Sequence, residues 1–276
     1  MIGAGRAGLG LGVALHRAGV SVRLHTRRPK PAPTGLSITS GGTLPAWLPE
    51  VDVLILAVPD SAVTDVAAAL AASGSITPHH VVLHLSGVLS AAALSPLGPT
   101  GAALGSLHPL LSFTDPQAAP VRLAAAVAAV EGDDRARAAA GQLASRVGVA
   151  AFVIRAEDKA LYHAGAVFGA NFLVTIAAVA RRLFERAGVP PEHAARGLAT
   201  LMSGVLENVA KVGPAAALTG PVKRGDAETV RRNLAALSGD EAELYRALSK
   251  ATMDIADLTA EQRRAIQEAV REGRER

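Results

Sequence analysis

The chain has 276 residues, half of them hydrophobic, with 28 basic and 24 acidic side chains, a formal charge of +4 and no cysteine. That length predicts two domains, and the absence of cysteine excludes disulfides, thiolate chemistry and thiolate-bound zinc and points to a cytoplasmic location. With 3% aromatic residues and scattered charge, the composition favours no nucleic-acid surface, and the eight histidines form no helical two-histidine metal motif.

Gly3-Ala4-Gly5-Arg6-Ala7-Gly8 is a G-x-G-x-x-G placed where a first strand turns into a first helix. In a Rossmann βαβ unit the first glycine makes the turn, the second lets the backbone approach a pyrophosphate, and the third lets the helix pack on the strand. The context agrees: Leu9 to Arg17 reads as helix, Gly19 as its cap and Val20 to Leu24 as the next strand. Thr26, Arg27 and Arg28 then stand where an NAD site usually carries an acid. They are donors suited to a 2′-phosphate, so the expected cofactor is NADP, held by Gly3, Gly5, Arg6, Ala7, Gly8, Thr26, Arg27 and Arg28. The competing reading makes Arg27, Arg28 and Lys30 a solvated basic turn. Only Met1 and Ile2 precede the motif, whereas a central strand needs about five residues. The favoured expectation is a start upstream of Met1; the alternative is a tolerated stub.

Val51 to Val58 is a nearly continuous apolar run, the mark of a strand buried on both faces of a parallel sheet. A helix follows over Ala62 to Ala72, and strand patterns recur at Val81 to Leu85, Gly101 to Leu107, Leu123 to Val130 and Val149 to Ile154, with a helix at Asp134 to Val147. The alternation predicts an α/β fold with a Rossmann-type doubly wound parallel sheet. From Glu157 onward the pattern is helical, with Asp226 and Ser238 as N-caps. The expected division is an NADP-binding domain over 1–155 and an all-helical substrate and dimerisation domain over 156–276. Ala164 to Ala180 is the longest apolar stretch, short for a membrane span, and reads as a buried helix.

Ligands of open α/β sheets lie beyond the carboxyl ends of the strands. There Val58 and Pro59 are expected to wall the adenosine and ribose, while Ser86 and His108 stand where a nicotinamide and its substrate meet. An imidazole suits proton exchange with a substrate oxygen or nitrogen, so His108 is the first catalytic candidate and Ser86 its orienting partner. Each has a plainer reading, His108 as a hydrogen-bonded turn histidine and Ser86 as a cap. Lys159, His163 and Asn171 are spaced to share one helix face and complete the catalytic candidates, their alternative being bonds to a neighbouring domain or subunit. Lys223 and Arg224 could clamp a substrate carboxylate, and the Arg-Gly-Asp string there is read as coincidence, with Asp226 as a cap.

The strings LAVPD (Leu56 to Asp60), HLSG (His84 to Gly87), GSLHPL (Gly105 to Leu110), KALYHAGAVFGANF (Lys159 to Phe172) and TGPVKRGD (Thr219 to Asp226) resemble a bacterial family that joins a Rossmann-like domain to a helical domain of unknown function. The likeness covers nearly the whole chain. The family is similar in layout to pyrroline-5-carboxylate reductase, prephenate dehydrogenase, ketopantoate reductase and the 6-phosphogluconate and β-hydroxyacid dehydrogenases. The resemblance implies an NAD(P)-dependent oxidoreductase of small polar metabolites and a homodimer built by the helical domain; the substrate expected is a small carboxylate, and no membrane partner is expected. The lysine and asparagine that β-hydroxyacid dehydrogenases place one turn apart are replaced here by Lys159 and His163, and Asn171 lies two turns further on. Ser86 with His108-Pro109 resembles prephenate dehydrogenases, though Leu110 to Phe113 stands where that family continues with glycines. Two other readings stay open: a non-catalytic NADP(H) sensor and a prephenate-dehydrogenase-like enzyme.

Overall fold

The computed structural model describes residues 1–33 and 35–272 and divides into two compact units, Met1–Phe172 and Leu173–Arg276. The first contains seven strands: β1 (Arg23–Thr26), β2 (Ser37–Ser40), β3 (Val53–Leu56), β4 (Val81–His84), β5 (Ala103–Pro109), β6 (Val127–Gly132) and β7 (Ala150–Val153). Its helices are α1 (Arg6–Arg17), α2 (Val63–Ala72), α3 (Ala119–Leu123), α4 (Asp134–Arg146) and α5 (Lys159–Gly169). β1 pairs parallel with β2, and β3 to β7 form a second ladder in chain order.

Ile2 joins the two ladders. It bridges His25 of β1 and Leu56 of β3, donating its N–H to Ile55 O at 2.8 Å while Ala57 N–H donates to Ile2 O at 2.7 Å. On the β1 side the bonds come from its neighbours in the chain: Gly3 N–H donates to His25 O at 2.8 Å and Met1 O accepts the His25 N–H at 2.9 Å. The Met1 amine donates to Arg23 O at 2.7 Å, and burial pushes its pKa down to about 5.

Strand alternation explains the two-sided packing. Leu54 and Leu56 of β3 and Val82 of β4 face one cluster with Leu70 of α2 and Leu94 and Leu97 of a 3-10 stretch. Ile55, Val81 and Leu83 face the other, with Leu11 and Leu15 of α1 and Ala136 and Ala140 of α4. The sheet is thus doubly wound as expected, with its last two strands reversed: β6 runs antiparallel to β5, placing Ser106 opposite Glu131, and β7 runs parallel to β6. Residues 123–126, read from sequence as strand, instead close the short helix α3 and its turn, after which the chain enters β6 antiparallel to β5.

The second unit consists of α6 (Asn171–Arg186, which begins in the first unit), α7 (Pro191–Val212), α8 (Pro214–Ala217), α9 (Pro221–Arg224), α10 (Ala227–Ala235), α11 (Gly239–Ile255) and α12 (Ala260–Glu272). Val222, Val230, Leu234, Met253 and Ile266 form its core. Asp226 caps α10, accepting the Thr229 N–H at 3.0 Å, whereas Ser238 occupies the cap position of α11 without a side-chain bond.

The apolar stretch read as a buried helix is not buried. It breaks at Ala170 (φ −125, ψ −68) into α5 and α6, and among the described residues none of α6 is buried. Phe168 of α5 and Val174 of α6 are each 70% exposed. The helical run Ala156–Arg186 is long and apolar enough to cross a membrane by length and composition. Its first turn is anchored in the sheet unit, where Lys159 is 1% exposed.

Candidate active site

The glycine turn is built as its spacing demands. Gly3 has φ +103, and a Cβ there would lie 2.2 Å from Ala57 O; a Cβ on Gly8 would lie 2.3 Å from Gly3 O. Gly5 differs: a Cβ would meet nothing within 4 Å. It stands at the N-terminus of α1, whose first turn carries no acidic residue, so free N–H groups and the helix dipole face open space. Arg6 is exposed and Ala7 half-buried beside it. Thr26 ends β1 with its hydroxyl donating to Arg28 O at 3.2 Å, and Arg27 and Arg28 are exposed. Lys30 reaches back across the turn and donates to Ala4 O at 2.9 Å. Val58 packs half-buried on the α2 side of the sheet, and Pro59 is exposed next to it. These residues fit a dinucleotide: two glycines close the backbone on itself and the third leaves the room.

At the carboxyl ends of β4 and β5, helix α5 runs alongside the sheet and pairs with it one turn at a time. Lys159 meets Ser106, and Tyr162, three residues on, meets His108, two residues further along β5. The match follows from geometry, since i and i+3 share a helix face and i and i+2 share a strand face. Lys159 Nζ donates to Ser106 Oγ at 2.6 Å and to Ser86 O at 3.2 Å. Ser106 in turn donates to Glu131 Oε2 at 3.1 Å, and that carboxylate lies 3.9 Å from Nζ and accepts the Ala91 N–H at 2.9 Å. Lys159 is therefore a buried strut under the site. Burial pushes its pKa down to about 8, against the pull of Glu131 and Asp60.

His108 and His163 come together, with ring centroids 6.1 Å apart, over Gly87. A Cβ on Gly87 would sit 2.7 Å from His163 Nδ1 and 2.8 Å from His108 Nε2. The Ser86 oxygen accepts the N–H groups of Val88 (3.3 Å) and Leu89 (3.1 Å), so its capping role is real and its hydrogen remains the part available to donate. Asn171 does not continue the stripe of Lys159 and His163, because the break at Ala170 starts a new helix with Asn171 as its first residue. Lys223 and Arg224 close α9 in the second unit, Lys223 half-buried and Arg224 exposed.

Comparison with protein-family models matches a Rossmann-like domain to residues 1–109 and a domain of unknown function, DUF2520, to residues 126–252. The chain joins a Rossmann-like domain to a DUF2520 domain. The junction falls inside the sheet, so Ser86, Ser106 and His108 come from the Rossmann-like segment while Glu131, Lys159, Tyr162 and His163 come from the DUF2520 segment. Solved structures share the fold. A protein of Thermotoga maritima is 24% identical over 93% of this chain and 97% of its own, with a TM-score of 0.67. A Bacteroides fragilis protein named provisionally as an NADP oxidoreductase is 22% identical over 92% and 96%, with a TM-score of 0.73. A Plasmodium falciparum pyrroline carboxylate reductase solved with NADP bound is 14% identical over 99% and 95%, with a TM-score of 0.56. No curated protein sequence matches.

Sequence reading missed Glu131, Ser106, Tyr162 and His84. Glu131 carried a signal: a lone carboxylate in the apolar string Val127 to Gly132 must find a partner if that strand is buried. His84 is fully buried, with Nδ1 accepting the Ser86 N–H (3.2 Å) and Nε2 donating to Ser90 O (3.1 Å), which makes it the brace of the Ser86 turn. Burial, with Lys159 adding to it, pushes its pKa down to about 4; His108 is likewise pushed down to about 4 by burial, His163 and Lys159. Unfolded, each titrates near 6.5. Between those values the unfolded chain binds protons that the folded chain refuses, so stability falls as pH drops through 6.5 toward 4. For His84 the loss is about 3 kcal/mol at about 1.4 kcal/mol per unit. Urea unfolding between pH 7 and 4.5 should show this decline, and His84→Asn, whose amide oxygen can still accept the Ser86 N–H, should show a shallower one.

Proposed function

We propose that the chain is an NADP(H)-dependent oxidoreductase acting on a small carboxylate that bears a carbonyl, imine or hydroxyl group. The observation that carries this reading is the glycine turn, closed at Gly3 and Gly8 and open only at Gly5, at the N-terminus of α1. The titratable cluster at the ends of β4 and β5 supports it, as do the nicotinamide cofactors named in the solved structures of the same fold. Gly3, Gly5, Arg6, Ala7 and Gly8 would hold the pyrophosphate, Thr26, Arg27 and Arg28 the 2′-phosphate, and Val58 and Pro59 the adenosine side, with Ser86 at the cofactor's inner end.

Bound there, the cofactor supplies a hydride donor or acceptor. The chain supplies the rest: His108 exchanges a proton or hydrogen bond with the reacting oxygen or nitrogen, Ser86 orients that atom, and Lys159 with Glu131 holds the Ser86 carbonyl and Ser106 in place. Lys223 and Arg224 are the cations proposed to bind the substrate carboxylate. The homodimer expected from the helical domain would cover the apolar face of α6. Thermal-shift titration is the direct test of the cofactor reading. NADPH is expected to stabilise the protein more than NADH at equal concentration, and Arg27→Ala with Arg28→Ala to abolish that difference; equal response to both in the unsubstituted protein would sink the choice of NADP.

A further inference from the structure

The Tyr162 hydroxyl lies 2.9 Å from His108 Nδ1, with the two rings edge to face at 5.5 Å and 89°. Phe152 of β7 packs edge-on against Tyr162 at 6.1 Å. Two senses are open to an O···N pair of this kind: the phenol donates to an unprotonated Nδ1, or a protonated Nδ1 donates to the phenol oxygen. Phenol is the better acid and imidazole nitrogen the better base, so the first sense is preferred. Burial strengthens it by keeping the tyrosine protonated and the imidazole neutral.

We propose that Tyr162 is a positioning residue that fixes the tautomer of His108, with Nδ1 as acceptor and the hydrogen on Nε2. This rests on the reading of His108 as the group that addresses the substrate. Its consequence is directional: a neutral His108 presents a donor, suited to a carbonyl or imine that accepts, and not a lone pair suited to deprotonating a hydroxyl. The surroundings agree. His108 Nε2 and His163 Nδ1 border the same point over Gly87, and His163 Nδ1 is a buried nitrogen without a hydrogen-bond partner. A hydrogen on Nε2 therefore places the His108 donor at that point over Gly87.

The groups that bear on His108 are His163 and Lys159 from α5, His84 from β4 and Asp60 from the turn after β3, and Tyr162→Phe leaves all of them in place. The test is ¹⁵N NMR of the histidine rings in the full chain without cofactor. At neutral pH the unsubstituted protein should show an unprotonated Nδ1 and a protonated Nε2 for His108, and Tyr162→Phe should mix the two tautomers. A phenol that donates to neutral imidazole favours the neutral form, so its removal should raise the His108 pKa. A phenol that accepts from it favours the charged form, and its removal should lower the pKa. A protonated Nδ1 in the unsubstituted protein, or a His108 pKa that falls or stays fixed in Tyr162→Phe, overturns the proposal. If the variant does not fold, the tautomer in the unsubstituted protein still decides. Neither readout uses a dinucleotide or a substrate, so its failure is distinct from failure of the oxidoreductase reading.

Discussion

Replacing Gly5 with alanine is expected to leave the folded state intact while weakening NADPH binding at least about tenfold, or about 1.4 kcal/mol. The backbone at Gly5 (φ −75) suits alanine, and its Cβ would meet no protein atom within 4 Å. That Cβ would instead fill the approach a pyrophosphate needs to the first N–H groups of α1. Gly3→Ala should behave in the opposite way. Its φ of +103 penalises any side chain, and the new carbon would press on Ala57 O at 2.2 Å, a backbone atom that cannot step aside. A loss of about 3 kcal/mol or more of stability is expected there. Melting curves and calorimetric titration separate the two variants. A Gly5→Ala protein that binds NADPH as tightly as the parent would remove the main support for a dinucleotide site.

The second large effect concerns the buried charge beneath the site. Lys159→Met is expected to destabilise the chain by about 3 kcal/mol, because it strands the Glu131 carboxylate in the sheet and leaves the Ser86 carbonyl without its donor. Glu131 would keep the Ala91 N–H and the Ser106 hydroxyl as donors, which moderates the loss. Combining Lys159→Met with Glu131→Gln removes the uncompensated charge and should recover most of the stability without restoring activity. Denaturant titration of the two single variants and the double variant gives the coupling directly. Simple addition of the two losses would show that lysine and carboxylate act independently.

The glycine turn was legible because its three glycines have separate local causes: a left-handed backbone at Gly3, a close approach at Gly8 and open room at Gly5. The strands were legible for a similar reason. Continuous apolar runs such as Val53–Leu56 and Val81–His84 suit only a sheet covered on both faces. The reversal of β6 and β7 was not, since strand direction depends on how the chain returns and not on the strand's own residues. Lys159 was singled out for its helix face, yet which way that face looks was settled by Ser106 and Glu131, 53 and 28 residues away along the chain. His108 stood out as an imidazole after a strand, whereas its partner Tyr162 lies 54 residues on, a separation for which no local pattern exists.

The strands β3 to β5, the helices α1, α2 and α4, the glycine turn and the place of His108 at a strand end follow from the sequence alone, because each rests on residues within a turn or two of one another. The burial of Lys159, the bond between Tyr162 and His108, and the exposure of α6 were decided only in three dimensions. A charged or apolar side chain takes its role from whatever surrounds it, and what surrounds it is brought there by parts of the chain far away in sequence.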